Sequence, residues 1–231
     1  MKQPAPTIID NVRSLMPTRT LSILARPLTE AEARIVAERQ VAKLLELLGI
    51  TKPSVDIELI AELPDIEVEV VPNLPLSGSS DWILDHWHIH INADDSLWRC
   101  RSTLAHELKH ILDDPFREEL YPDWPRESTL PPPDRAEEIC DYFAGCVLAP
   151  TAWLKDVWRQ GTRDSATLAS LFDVSEALIR VRLYQTGLVT RRLRSYPRRT
   201  YTRSAALVRA ARKRFTHERM QHHLVGAPPC V

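Results

Sequence analysis

Between Arg101 and His110 the chain reads Arg-Ser-Thr-Leu-Ala-His-Glu-Leu-Lys-His, and no other stretch restricts its fold as strongly. Ser102 is a suitable N-cap, and Leu104, Leu108, Ile111 and Leu112 recur at helical spacing. Asp113-Asp114-Pro115 then supplies a stop. Residues four apart share one face of a helix, so His106 and His110 can present two imidazole nitrogens to a single metal ion. Glu107 flanks that face and can serve a water held there as general base.

Two histidines are an incomplete site, because a catalytic zinc takes three protein ligands and keeps one position open. The third must come from elsewhere in the fold, and residues 134–144 offer it. Asp134 caps a second apolar-periodic stretch that Pro150 ends, and on it Glu137 and Asp141 are again four apart. Glu137 is the candidate carboxylate ligand. Asp141, one turn further, can accept the other N–H of His106 and fix its tautomer. The bland reading is a pair of solvated helix faces; two helices carrying complementary donors at matching spacing weigh against it.

With 231 residues, 44% hydrophobic and 26% charged, the chain can bury a sizeable core. Its net charge of −1 conceals an asymmetry. Residues 191–231 hold eleven Lys and Arg against one Glu, which leaves the first 190 residues at −11. A basic tail on an acidic body either folds back or holds an anionic partner. Cys100, Cys140, Cys146 and Cys230 show no Cys-x-x-Cys spacing and read as reduced thiols of a cytoplasmic protein. No segment resembles a signal peptide or reaches membrane-spanning length.

Along the chain, residues 1–27 read as a loosely ordered arm. Thr29-Glu30-Ala31-Glu32 is a capping box opening a helix to about Leu48, with Ile35, Val36, Val41, Leu44, Leu45 and Leu48 as its buried stripe and Gly49 as its stop. Residues 54–63 suggest a short helix. Ile66–Val71 alternates with period two and predicts a strand. Ser77–Ser80 reads as a turn, and Trp82–Leu84 with Trp87–Asn92 as a hairpin turning near Asp85. In its second strand Trp87, Ile89 and Ile91 should face the core, leaving His86, His88 and His90 on the open face as solvated groups rather than metal ligands. That strand is expected to border the cleft and offer its edge to an extended peptide.

Residues 113–133, carrying Phe116, Tyr121 and Trp124, form a long connection that either covers the cleft or wraps the surface. After Pro150 a short helix is expected over 151–160. Residues 166–183 then suggest two helices joined at Asp173-Val174-Ser175, a helix-turn-helix pattern. Ser175, Glu176 and Ala177 stand where a DNA reader wants basic or amide groups, which favours a packing module. The tail interleaves Tyr196 and Tyr201 with arginines, includes a possible helix near residues 204–215, and leaves weak nucleic-acid contact open.

The residues from Arg101 to His110, the run Glu137-x-x-Cys140-Asp141-x-Phe143-Ala144-x-x-x-Leu148-x-Pro150 and the stretch about Val174-Ser175 together resemble the ImmA/IrrE-type metallopeptidases over roughly residues 50–190. The resemblance implies an α+β, minimal zincin-like domain followed by a small helical module. It further implies cytoplasmic cleavage of a helix-turn-helix repressor that frees mobile-element or stress genes. Departures from the family pattern are Ser102 for Phe, Lys109 for Gly, Cys140 for Ala and Asp141 for Asn. Lys109 is expected to point outward or snorkel, and the carboxylate of Asp141 to accept more strongly than an amide.

The expected division is an arm over 1–27, a metallopeptidase domain over 28–160, a helix-turn-helix-like module over 161–190 and a basic tail over 191–231. One zinc ion, with manganese not excluded by ligand type, would be held by His106, His110 and Glu137. Glu107 would act as base and Asp141 would support His106. A second oxyanion donor is expected from Tyr121, Tyr142 or a strand histidine. The alternatives are a metal-binding regulator with little peptidase activity on the same fold, and a DNA-associated regulator working through the helical module and tail.

Overall fold

The computed structural model of the chain describes residues 6–17, 26–121 and 133–190. It is a mixed α+β structure, consistent with a small zincin-like domain: a three-stranded sheet with helices packed against it. Within the expected arm, residues 6–17 carry regular structure. Helix α1 (Ile8–Arg13) is closed by a capping box between Thr7 and Asp10, and Ile9 and Val12 enter the core. The signal was there as Thr-x-x-Asp ahead of apolar residues three apart.

Helix α2 spans Glu30–Leu47. Thr29 N–H donates to Glu32 Oε2 (2.7 Å), Glu32 N–H donates to Thr29 Oγ1 (3.3 Å), and Gly49 takes φ +68° just past the end. Val36, Val41, Leu44 and Leu45 are buried, but Ile35 points to solvent. A 3-10 turn at Ile57–Glu62 replaces the short helix expected at 54–63.

Strands β1 (Ile66–Val71), β2 (Gly78–Ile83) and β3 (His86–Asn92) lie in the order β1-β3-β2, with β1 parallel and β2 antiparallel to β3. The run read as a turn at Ser77–Ser80 is the first half of β2. The hairpin turn itself is Leu84-Asp85, both at positive φ (50° and 65°), the two-residue arrangement that suits strand twist. Two expectations for β3 fail. It is the central strand, bonded on both sides, so its edge is not available to a peptide. His88 and His90 are buried rather than solvated, facing Glu67 and Glu69 across the parallel pair.

Helix α3 (Leu97–Asp113) begins six residues earlier than the sequence suggested, after Ser96 rather than Ser102. It packs on the sheet face that carries Ile89 and Ile91. Gly78 permits this approach: a Cβ there would lie 2.4 Å from Thr103 Cγ2 and 2.8 Å from the His90 carbonyl oxygen. Beyond the short helix α4 (Arg117–Leu120), helix α5 (Asp134–Leu148) lies along α3 and α2. Phe143, Val147, Leu108, Ile111 and Leu44 fill the core between them. Truncating one buried aromatic such as Phe143 costs about 3–5 kcal/mol at sites of this kind.

Helix α6 (Thr151–Arg159) is followed by α7 (Ser165–Phe172) and α8 (Glu176–Gln185), joined through Asp173 in the left-handed conformation. Two buried arginines tie this end to the rest. Arg101 on α3 donates to the Asp173 carbonyl and carboxylate and to the Val55 carbonyl. Arg182 donates to the Ala149 carbonyl (3.2 Å) and Thr151 Oγ1 (2.9 Å), in space left by Gly145. Arg182 is therefore withdrawn from any partner surface, and Glu176 is engaged by Arg180 and Ser165. Among the described residues no helix is long and apolar enough to cross a membrane. Trp124, Cys230 and the basic tail with Tyr196 and Tyr201, for which the sequence raised expectations, lie outside the described residues.

Candidate metal centre

The four-residue spacing on α3 does what helical geometry requires. His106 Nε2 and His110 Nε2 lie 3.1 Å apart. Glu137, from the first turn of α5, closes the triangle: its Oε1 is 3.3 Å from His110 Nε2 and its Oε2 is 3.5 Å from His106 Nε2. Donors bound to one tetrahedral zinc at about 2.0–2.1 Å stand about 3.3 Å from each other. The three measured separations bracket that figure, so this donor set fits a zinc ion in spacing as well as in chemistry. His106, Glu107 and Glu137 are each largely shielded from water, which strengthens every charge interaction among them.

His106 Nδ1 lies 2.9 Å from Asp141 Oδ1, as the spacing on α5 predicted. With its Nδ1–H donated to that carboxylate, the ring presents a lone pair at Nε2 to the shared point. Burial opposes charge on His106, but the bonds to Asp141 and Glu137, backed by Glu107, outweigh it and pull the imidazole up to about 10. Burial likewise opposes ionisation of Glu137, yet the two histidines hold its carboxyl well below the usual range. Without a metal, the pocket therefore keeps a proton where a cation would sit.

Glu107 is turned toward the sheet. Ser80 on β2 donates its hydroxyl to Glu107 Oε2 at 3.0 Å. Sequence reasoning missed Ser80 because the Ser-Gly-Ser-Ser run looked like a turn; the apolar pairing that makes it a strand comes from β3. Cys140 is a second residue given no role from sequence. Its sulfur and one nitrogen each of His106 and His110 lie within 4.8 Å of one another. Burial first, then Asp113 and Glu137, push its thiol well above the ordinary range.

Lys109, expected to point outward or snorkel, is buried to its ammonium instead. Its ammonium reaches Gln40 Oε1 (3.0 Å) and Asp113, and Tyr121 O–H donates to Asp113 Oδ2 (3.1 Å). The physical reason is compensation: a lysine can be buried where a carboxylate one turn away neutralises it. The residues proposed as second oxyanion donors are occupied elsewhere. Tyr121 serves Asp113, Tyr142 O–H donates to Glu38 (2.8 Å), and His88 and His90 occupy the sheet face opposite α3.

Residues 66–184 match the model of a peptidase family described as IrrE N-terminal-like domain. No curated protein sequence matches this chain. Among solved structures, a Mycobacterium tuberculosis transcriptional regulator is similar at 19% identity and a TM-score of 0.49, over 78% of this chain and 52% of that one. The chain thus spans about half the length of that regulator.

Proposed function

This chain belongs to the IrrE N-terminal-like domain family, and on that premise we propose that it is a zinc-dependent endopeptidase of zincin-like fold. In this reading residues 28–160 form the catalytic domain and 161–190 a helix-turn-helix-like module. The observation that carries it is the convergence of His106, His110 and Glu137 at 3.1, 3.3 and 3.5 Å, with Glu107 alongside. Two neutral imidazoles and one carboxylate leave zinc a net charge of about +1. When bound there, zinc supplies Lewis acidity, polarising a carbonyl and bringing the pKa of a water down to about 7.

The remaining steps belong to the chain's own groups. Asp141 keeps the His106 proton on Nδ1 and so holds Nε2 as a donor. Ser80 steers Glu107 by donating to one oxygen and leaving the other for water. Glu107 accepts a proton from the attacking water and returns it to the leaving amine, a role generally worth about 10²- to 10⁴-fold. The substrate strand pairs with β2. This is the edge of the sheet away from β1, and it carries the serine that touches Glu107.

The substrate is a helix-turn-helix repressor, cut in an extended, accessible segment, and the enzyme works in the cytoplasm. The test is to incubate zinc-loaded protein with repressors from its own source and read fragments by mass spectrometry. One discrete cleavage is expected with wild type and none with Glu107→Gln, which should still bind one zinc. Intact repressors with zinc-loaded wild type, or cleavage by Glu107→Gln, would overturn the assignment.

A further inference from the structure

Cys140 follows Glu137 by three residues, so the two side chains leave neighbouring positions on the face of α5 that meets α3. The thiol is buried and takes part in no disulfide among the described residues. Cys146, two turns on, is equally buried, which is the ordinary fate of a small apolar thiol. Cys140 differs in what surrounds it. Its sulfur lies within 4.8 Å of one ring nitrogen of each of His106 and His110, and Glu137 reaches the Nε2 atoms of both from the preceding turn. Cys140 thus stands beside both histidines as a candidate donor additional to the three that the reading above uses. Zinc and other borderline-soft ions take thiolate readily, whereas manganese and magnesium prefer oxygen.

We propose that Cys140 is a fourth donor of this centre, giving it a closed, thiolate-ligated state beside the open state of His106, His110 and Glu137. This rests on the metal-site reading above. On loading with a thiophilic divalent cation, the S–H proton passes to solvent and a sulfur–metal bond forms; no oxidant or reductant takes part. A centre with four protein donors leaves no position for water, as in structural zinc sites. The closed state is therefore latent, and the site prefers zinc, cobalt and cadmium over manganese.

The experiment adds cobalt(II) to the metal-free full-length protein under nitrogen and follows thiolate-to-cobalt charge-transfer absorption. Cadmium affinity is measured in parallel by competition. Wild type should develop the band in proportion to one bound cobalt. Cys140→Ala and the closer-sized Cys140→Ser should each bind one cobalt without the band and lose at least tenfold in cadmium affinity. Glu137→Gln should keep the band. Cobalt bound by wild type without the band would overturn the fourth donor and leave the three-donor site standing. A band surviving in both Cys140 variants would do the same, since another thiol would then be its source. No cobalt uptake by any form would overturn both readings together.

Discussion

Helix α3 carries two rows of polar residues, His106 with His110 and Lys109 with Asp113. Each pair is four residues apart, and the rows lie about 60° from one another around the helix axis. Both rows are largely buried, yet their chemistry is opposite. Lys109 and Asp113 neutralise each other, with Gln40 and Tyr121 taking further hydrogen-bonding positions. That row is closed: its charges answer one another within the protein. In the other row two like donors face each other at 3.1 Å, and the carboxylates of Glu137, Asp141 and Glu107 gather around them. That row is completed only by a proton or a cation. Burial of polar groups does not separate structure from function here; the sign and direction of what they face does.

The contrast breaks most sharply at the ligands themselves. His106→Ala or His110→Ala, each of which removes a donor common to the open and closed states, should take zinc content from one ion per chain to none by elemental analysis. The metal-free fold should lose little, because nothing in the core depends on that row. Zinc at a hundredfold excess over Kd should stabilise wild type by about 2.7 kcal/mol, and this increment should vanish in both variants. Zinc retained in either variant would mean the row is not the binding site.

The closed row should behave in the reverse way. Asp113→Ala strands the Lys109 ammonium in the interior and should cost about 3–5 kcal/mol in urea unfolding, while zinc content stays at one per chain. Replacing both partners, Lys109→Met with Asp113→Leu, should recover much of that loss, since an apolar pair of similar volume needs no compensation. A double variant as unstable as the single one would show that the row does more than neutralise itself.

The sequence made one of these rows far more legible than the other. His106, Glu107, His110, Glu137 and Asp141 could be found because helical periodicity alone puts them on shared faces. The α+β class came from the family resemblance, and the helix and strand periodicities agree with it. What escaped depends on contacts distant along the chain. Lys109 is buried only because Gln40, 69 residues away, and Tyr121 come to meet it. Ser80 matters only because β2 pairs with β3 and Gly78 admits the strand onto α3. The exchange of edge and centre in the sheet has the same origin: β1 pairs parallel to β3 across the whole hairpin, a choice that no local pattern encodes.

A smaller effect sharpens the open row. Asp141 holds His106 Nδ1 at 2.9 Å, but its side chain is 54% exposed, so water competes for the bond. Removing a partner of this kind generally costs 10- to 100-fold in metal affinity; Asp141→Ala should fall at about the tenfold end. Asp141→Asn should lie between that and wild type, since an amide oxygen still accepts. Unchanged zinc affinity in Asp141→Ala would show that packing alone orients the His106 ring.

The smallest effect concerns a polar contact outside both rows, open to solvent at 43% and 38% of its two side chains and therefore a control for them. Glu32 closes the α2 capping box and pairs with Arg26. The Arg26 guanidinium, then the Thr29 N–H and hydroxyl, bring its carboxyl down to about 2 from 4.5. A carboxyl depressed in the folded state stabilises fully above its unfolded value and loses that contribution as pH falls through the folded one. The stability gap between wild type and Glu32→Gln should therefore be constant above pH 4.5 and close between 4.5 and 2. It should shrink with added salt, because exposed charges are screened. The Lys109–Asp113 contribution, shielded from ions, should hold over the same salt range. A Glu32 gap as insensitive to salt as the buried pair would erase the distinction between surface and interior charge on which the contrast along α3 depends.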